Sequence, residues 1–172
     1  MKVYVACGLT HVPAEHFERY VGYIHALASA LQASASVEQV RYALVDSDPQ
    51  LETKPQNEQP ALCYDWDRRM VEESDIVVAD ASFPSTGMGI ELQLADNSDT
   101  PIILLIGDYA NNRVPSRRYR NPDHSEHHLQ VGAGIVTLMA LGVPSIRRTI
   151  EYAEQSDAIR AAVEAVELYD QG

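Results

Sequence analysis

Residues Asp75 to Ala95 read D-I-V-V-A-D-A-S-F-P-S-T-G-M-G-I-E-L-Q-L-A, and this stretch decides the fold. Its apolar run, 76–79, is short and rich in β-branched residues, as is typical of a central parallel strand covered on both faces. Asp80 ends the run, and two glycines follow a short turn. The stretch therefore predicts a buried strand, a turn and a helix over 87–98.

The turn after this strand carries residue types that suit ligand binding. In open α/β sheets, ligands bind at the carboxyl ends of the strands, where Asp80 lies. Ser85, Gly87 and Gly89 would let a ligand approach the backbone at a helix N-terminus. These four residues are therefore candidates for substrate binding.

Glu91 lies one turn into the predicted helix. The helix dipole and free amides stabilise a carboxylate there, so we expect Glu91 to be ionised at neutral pH. In a ligand cleft, such a carboxylate can act as a nucleophile or stabilise a cation. The local pattern also fits a first-turn residue that only complements the helix dipole.

Strands and helices alternate on both sides of this stretch. The other predicted strands are 2–7, 37–45, 101–106 and 146–152, and the other predicted helices are 14–33, 62–73, 124–141 and 155–169. Right-handed crossovers between such units give a parallel sheet with helices on both faces. We predict a single α/β domain over 1–172, a doubly wound five-stranded parallel sheet of flavodoxin-like or Rossmann-like type in the order 2-1-3-4-5.

That strand order puts the first and third strands side by side, at the topological switch point. Tyr4 to Thr10 then lie opposite Asp80 to Glu91. The proline-rich loop 46–60 buries almost nothing, and we expect it to be mobile and to cover a site at the strand ends, or to be a connector without a role. Segment 107–121 is predicted to be irregular.

Charge and composition limit the partners. The chain has 172 residues, is 45% hydrophobic and carries a net charge of −12, which argues against DNA or RNA as a partner. Four arginines nevertheless cluster within 113–120, near His124, His127 and His128. Such a patch suits a small anion or a solvated loop. The histidine spacing favours loop residues over metal ligands, so no metal site is predicted.

Cys7 and Cys63 are the two cysteines, and they have neither metal-type spacing nor a disulfide framework. No apolar run approaches the roughly 18 residues of a transmembrane helix. We therefore expect a soluble, cytoplasmic protein without a membrane partner.

Four segments together resemble the nucleoside 2-deoxyribosyltransferase superfamily, and within it the branch of nucleoside 5′-monophosphate N-glycosidases. They are Y-V-A-C-G at 4–8, D-W-D at 65–67, S-D-I-V-V-A-D at 74–80 and P-S-T-G-M-G-I-E-L at 84–92. The resemblance covers residues 2–106 and weakens beyond them. It implies an enzyme that acts on a small nucleoside or nucleotide and uses no cofactor.

The resemblance implies roles for three residues. Glu91 would be the nucleophile or cation-stabilising carboxylate at the anomeric carbon, Tyr4 would hold that carboxylate, and Asp67 would protonate the leaving base. Cleavage of an N-glycosidic bond builds oxocarbenium character, which a carboxylate stabilises, while protonation makes the base a better leaving group. By itself, D-W-D also fits an ordinary acidic helix N-terminus.

The resemblance also bears on whether the substrate carries a 5′-phosphate. The transferases carry an acidic residue six positions before the nucleophile, where this chain has Ser85, whose hydroxyl can donate to a 5′-phosphate that a carboxylate would repel. The segment R-V-P-S at 113–116 is similar to one whose serine reaches the phosphate in the neighbouring subunit. Ser116 is therefore implied to be a cross-subunit ligand in a homodimer.

The loop after the first strand departs from the family pattern. The monophosphate branch carries a serine and an arginine there, whereas this chain has Leu9, Thr10 and His11. We expect these three residues and Gly8 to contact the substrate, with His11 or the arginines of 113–120 replacing the missing arginine.

The sequence thus predicts an N-glycosidase that hydrolyses a (deoxy)nucleoside 5′-monophosphate to free base and sugar phosphate. One alternative is a 2-deoxyribosyltransferase that exchanges bases. Another is a non-catalytic nucleotide-binding module, since a fold does not imply an activity.

Overall fold

The computed structural model describes residues 1–132 and 134–170. Its strands are β1 (Lys2–Cys7), β2 (Gln39–Arg41), β3 (Ile76–Asp80), β4 (Ile102–Gly107), β5 (Arg118–Arg120), β6 (Glu126–His128) and β7 (Ile146–Tyr152). Its helices are α1 (Ala14–Gln32), α2 (Asp48–Leu51), α3 (Gln59–Glu72), α4 (Thr86–Asn97), α5 (Leu138–Leu141) and α6 (Gln155–Asp170). Residues 171 and 172 of the predicted domain lie outside the described residues.

Five strands form a parallel sheet in the order β2-β1-β3-β4-β7. This confirms the predicted α/β fold and strand order, with β7 as the fifth predicted strand. β3 and β4 are buried along their whole length, because helices cover both faces of the sheet. Cys7 pairs with Asp80, so the carboxyl ends of β1 and β3 meet at one edge.

Strand alternation divides the core into two halves. Val3 and Val5 of β1 pack on the face covered by α1 and α6, whereas Tyr4 and Ala6 pack on the face covered by α3 and α4. In β3, Asp80 shares its face with the residues that pack toward α1. Because successive side chains of a strand point to opposite faces, Tyr4 and Asp80 project from opposite sides of the sheet.

The second strand is shorter than the predicted 37–45, since β2 ends at Arg41. The chain turns there because the Tyr42 N–H donates to Asp46 Oδ2 at 2.9 Å and the Asp46 N–H donates to the Tyr42 carbonyl at 3.1 Å. The loop predicted over 46–60 contains α2 and the first residues of α3. Its mobility stays a prediction.

The prediction of a helix over 124–141 is wrong. β5 and β6 form an antiparallel hairpin, and α5 is a single short helix near the end of the range. The backbone φ angles of His124, Gly132 and Gly134 are 66°, 56° and 85°, which a right-handed helix does not accommodate. β5 also shows that segment 107–121 is not irregular throughout. Ala133, which the predicted helix included, lies outside the described residues.

The remaining predicted elements are present, with ends shifted by at most three residues. Within residues 1–132 and 134–170, every helix is too short or too polar to span a lipid bilayer.

Candidate active site

The middle of β1 and the first turns of α4 place a phenol against a carboxylate. Tyr4 is 1% exposed, and its O–H donates to Glu91 Oε1 at 2.6 Å. Tyr4 reaches α4 because it lies on the face of β1 that this helix covers. The contact implied by the resemblance is therefore present, while the catalytic role of both residues stays a prediction.

Asp67 of α3 lies close enough to Glu91 for the two charges to interact, since α3 packs against α4. Its oxygens are held from two sides. The Ser47 hydroxyl donates to Oδ1 at 2.7 Å, and the Cys63 thiol donates to Oδ2 at 3.3 Å. The structure thus brings together Tyr4, Asp67 and Glu91, the three residues predicted to be catalytic.

The other carboxylate of the D-W-D segment has a different environment. Asp65 forms ion pairs with Arg68 at 3.1 Å and with Arg69 at 2.7 Å, both on its own helix. Residues two positions apart on a helix point in different directions, so Asp65 cannot share the position of Asp67 beside Glu91.

The protonation of Glu91 differs from the expectation. Burial raises the pKa of Glu91 from its ordinary 4.5 to about 7; the Tyr4 hydrogen bond opposes this shift, and the charges of Asp67 and Asp48 add to it. Burial therefore outweighs the helix dipole that was expected to keep Glu91 fully ionised. Protonated and ionised Glu91 therefore coexist near neutral pH.

Asp48, which begins α2, is a further acid beside the site that the sequence motifs do not identify. Burial and the charge of Asp67 raise the pKa of Asp48, and its own charge raises that of Glu91. A signal was present, because Asp48 follows the second strand at the sheet edge where ligands bind. The polar, proline-rich surroundings concealed it.

Both cysteines lie near these acids. Burial, followed by the charge of Asp67, raises the pKa of Cys63 to about 12. Burial, followed by the charge of Glu91, also raises the pKa of Cys7 above its usual range. Both thiols therefore stay protonated at neutral pH, which suits hydrogen-bond donation and not nucleophilic attack.

The start of α4 contacts the loop after β1. Ser85 is the N-cap of α4, and its Oγ accepts a hydrogen bond from the Met88 N–H at 3.1 Å. A Cβ at Gly8 would lie 2.5 Å from Ser85 Cβ, so this close approach requires glycine. Positions 87 and 89 have room for a side chain. Packing within the chain thus does not explain those two glycines, and the helix start is open to a ligand.

A pocket of about 290 Å³ opens beside Ser85. His11 lines it from the loop after β1, and the segment 135–140 forms another part of its wall. Of the neighbouring loop residues predicted to contact substrate, Leu9 packs against the core and Thr10 is exposed. Within the described lining of this pocket, His11 is the residue able to carry a positive charge.

Asp80 lies apart from the catalytic candidates, fully buried on the opposite face of the sheet. Its Oδ1 accepts hydrogen bonds from the Tyr20 hydroxyl at 2.9 Å and the Ser82 N–H at 3.1 Å. Its Oδ2 accepts from the hydroxyls of Tyr23 at 3.0 Å and Tyr152 at 2.7 Å. The prediction that Asp80 binds substrate therefore lacks geometric support, and these contacts give it a structural role.

Three of the four arginines of 113–120 have acidic neighbours. Arg118 and Arg120 both pair with Glu126 across the β5–β6 hairpin. Arg113 lies 3.7 Å from Asp108. Ser116 is exposed, and its predicted role in a neighbouring subunit stays a prediction. His11 lines the pocket beside Ser85 and these arginines do not, so within one chain His11 is the better placed substitute for the missing arginine.

The three histidines that follow belong to the same exposed hairpin. His124 lies in its turn, and His127 Nε2 is 3.0 Å from Ser125 Oγ. Among residues 1–132 and 134–170, no group of three or more His, Cys, Asp or Glu side chains is arranged to hold a metal ion.

No protein-family model matches the sequence, and no curated protein matches it. Solved structures do share its fold. The CMP N-glycosidase BcmB of Clostridium botulinum is 17% identical with a TM-score of 0.57, over 98% of this chain and 99% of that one. A 2-deoxyribosyltransferase of Bacillus psychrosaccharolyticus is 15% identical with a TM-score of 0.55, over 95% of this chain and 96% of that one.

A conserved protein of Enterococcus faecalis V583 is 15% identical with a TM-score of 0.57, over 96% of this chain and 98% of that one. At these identities the likeness establishes the fold. The fold agrees with the superfamily that the sequence motifs resemble.

The buried cage around Asp80 generates a stability prediction. Replacing Asp80 with Ala leaves three tyrosine hydroxyls without their acceptor, so we expect the free energy of unfolding to fall by roughly 3 kcal/mol or more. Urea unfolding measures this change. The control is Glu164→Ala on the exposed face of α6, which should stay within about 0.5 kcal/mol of wild type. Equal stability of the two variants would contradict the structural role.

The raised pKa of Glu91 predicts a pH effect on stability. The folded protein binds the Glu91 proton more tightly than the unfolded chain, so this group costs stability as pH rises from about 4.5 to about 7. Glu91→Gln should therefore gain roughly 1 to 3 kcal/mol relative to wild type between pH 4 and pH 8. Urea unfolding at both pH values tests this. If the free energies of unfolding of wild type and Glu91→Gln change equally between the two pH values, the pKa of Glu91 is not raised.

Proposed function

We propose that this protein is an N-glycosidase that hydrolyses a (deoxy)nucleoside 5′-monophosphate to free base and sugar phosphate. The observation that carries the proposal is the 2.6 Å hydrogen bond from Tyr4 to Glu91, with Asp67 within electrostatic range on the adjacent helix. A CMP N-glycosidase and a 2-deoxyribosyltransferase share the fold, which supports the same class of reaction.

Glu91 is the group that meets the developing charge. As the bond between the anomeric carbon and the base breaks, its electron pair moves to the base and positive charge builds on the sugar. Ionised Glu91 stabilises that charge or forms a carbon–oxygen bond that water later hydrolyses. Because Tyr4 binds Oε1, we expect Oε2 to be the oxygen that faces the sugar.

Asp67 gives the departing base its proton. A base that leaves as an anion is a poor leaving group, and protonation by a carboxylic acid removes that barrier. Water attacking the sugar then returns a proton to the Asp67 carboxylate. The two carboxyl groups thus act on opposite ends of the breaking bond, and the chemistry needs no metal.

The start of α4 suits the 5′-phosphate. The Ser85 hydroxyl accepts a hydrogen bond from Met88, so its own hydrogen is available for a phosphate oxygen. The positive end of the helix dipole adds to the attraction. His11, which lines the same pocket, can offer a ring N–H as a further hydrogen-bond donor. In a homodimer, Ser116 of a neighbouring chain adds a donor to this phosphate.

Base exchange is the second candidate function, favoured by the structural likeness to a 2-deoxyribosyltransferase. Water and an acceptor base compete for the same glycosylated Glu91, so both reactions use the same residues. Ser85 favours phosphorylated substrates. Base exchange between unphosphorylated deoxynucleosides that outpaces hydrolysis would support the transferase, and tight nucleotide binding without turnover would support a binding module.

A panel of ribo- and deoxyribonucleoside 5′-monophosphates tests the proposal. We expect free base to be released from at least one of them, as measured by chromatography. Glu91→Gln should lower kcat/KM by a factor of about 100 or more, because it removes the charge that stabilises the oxocarbenium ion. Glu164→Gln is the control and should match wild type. No release from any nucleotide, or full activity of Glu91→Gln, would reject the proposal.

The pH dependence of kcat/KM gives a second test. Activity should rise with pH through about 7, because Glu91 must lose its proton before it can stabilise the cation. Asp48→Asn removes a charge that raises the pKa of Glu91, so it should move this limb of the profile to lower pH by several tenths of a unit.

The matched control is Asp65→Asn, because Asp65 is paired with Arg68 and Arg69. This variant should leave the acidic limb of the profile in place. A limb that stays unshifted, or moves to higher pH, in Asp48→Asn would contradict the assignment of that limb to Glu91.

A further inference from the structure

Ser47 lies at the N-cap position of α2, where a serine ordinarily accepts a hydrogen bond from an amide of its own helix. Within the described part of the chain, its side chain makes no such cap bond. Its hydroxyl donates instead to Asp67 Oδ1, twenty residues away, at 2.7 Å. Ser47 is 1% exposed and Asp67 is half-buried, so this is a partly buried bond between two separate elements. The Ser47 side chain thus contacts α3 instead of capping α2.

The backbone around Ser47 is arranged to hold that hydroxyl in place. The Ser47 carbonyl accepts hydrogen bonds from the N–H groups of Gln50 at 3.1 Å and Leu51 at 3.0 Å. The Asp48 N–H donates to the Ala43 carbonyl at 2.9 Å. The short helix α2 therefore fixes Ser47 relative to the strand that precedes it.

The second oxygen of Asp67 is also held. Cys63 lies one turn earlier on α3 and donates its thiol to Oδ2 at 3.3 Å. A thiol is a weak donor, whereas the short bond from Ser47 is the stronger constraint. Ser47 therefore has the larger part in setting the orientation of the Asp67 carboxyl group.

Resting on the proposed function, we propose that Ser47 is a positioning residue for proton transfer from Asp67 to the leaving base. When Asp67 gives up its proton, the electron pair of the glycosidic bond moves to the base and Asp67 becomes a carboxylate. A hydrogen bond to a carboxylate is stronger than one to the neutral acid. The hydrogen bond from Ser47 therefore becomes stronger as the proton moves to the base. It stabilises the transition state more than the enzyme–substrate complex, so it lowers the barrier to cleavage.

This role predicts a dependence on the leaving group that a purely structural role does not. A base that leaves readily without a proton has little need of Asp67. For a purine-cleaving enzyme the matched substrates are guanosine and N7-methylguanosine 5′-monophosphate, and for a pyrimidine-cleaving enzyme they are uridine and 5-fluorouridine 5′-monophosphate. The second member of each pair carries the better leaving group.

Ser47→Ala should lower kcat for the ordinary nucleotide by about tenfold and change kcat for the activated one by less than about threefold. Asp67→Asn should show the same pattern with a larger loss. Ser47→Thr keeps the hydroxyl, and a cavity of about 280 Å³ borders residue 47. This variant should restore most of the activity toward the ordinary nucleotide.

Ser145 offers a matched control. It is 4% exposed, and its hydroxyl donates to Asp96 Oδ1 at 2.7 Å, so Ser145→Ala removes a partly buried serine–aspartate bond of equal length. Ser145 lies just before β7, at the opposite edge of the sheet from the site. In Ser145→Ala, the ratio of kcat for the ordinary nucleotide to kcat for the activated nucleotide should equal that of wild type.

The outcomes distinguish the proposed positioning role of Ser47 from the proposed glycosidase activity. An equal loss of activity on both substrates in Ser47→Ala, with the selective loss retained in Asp67→Asn, would overturn the positioning role and leave the glycosidase intact. An unchanged rate ratio in Asp67→Asn would remove the general acid itself and the Ser47 role with it. A wild-type protein that releases base from none of the ribo- and deoxyribonucleoside 5′-monophosphates would overturn the glycosidase proposal.

Discussion

The hydrogen bond from Tyr4 to Glu91 joins the first strand of the sheet to the helix that follows the third. It depends on the strand register, because only alternate residues of β1 face α3 and α4. A shift of one residue would turn Tyr4 toward α1 and leave Glu91 without its donor. The same register sets Cys7 beside Asp80 and brings the loop after β1 against Ser85. The geometry of the candidate site is therefore a consequence of how β1 and β3 pair.

Asp80 and Glu91 both lie near this sheet edge, but their surroundings give the two carboxyl groups different properties. Asp80 is fully buried, but three tyrosine hydroxyls and an amide satisfy its oxygens, so its contacts are made within the protein. Glu91 receives the bond from Tyr4 and faces the charges of Asp67 and Asp48. Desolvation and like charges raise its pKa to about 7, within reach of a change in protonation during a reaction. The carboxyl group that we propose to be reactive is thus the one whose charge is less well compensated.

The sequence predicts the parts of this protein whose signal is local. Apolar runs such as 76–79 and the alternation of strands with helices identify the sheet and its order, and the motifs around Tyr4, Asp67 and Glu91 identify residues that the fold does bring together. The β5–β6 hairpin was missed because its polar residues carry no clear period, and because the positive φ angle of His124 is invisible in a sequence. Ser47 and Asp48 were missed for a related reason. Their importance arises from the packing of α2 against α3, which a polar loop sequence does not reveal.

The central claim is that the Glu91 carboxylate lies beneath the anomeric carbon of a bound sugar. A crystal structure of the Asp67→Asn variant with a bound nucleoside 5′-monophosphate tests it most directly, because slow protonation of the base should preserve the substrate. The account predicts a Glu91 carboxylate oxygen about 3 to 3.5 Å from the anomeric carbon, on the face opposite the base, with Tyr4 still bound to its other oxygen. A sugar bound elsewhere, or a Glu91 side chain turned away from it, would contradict the account.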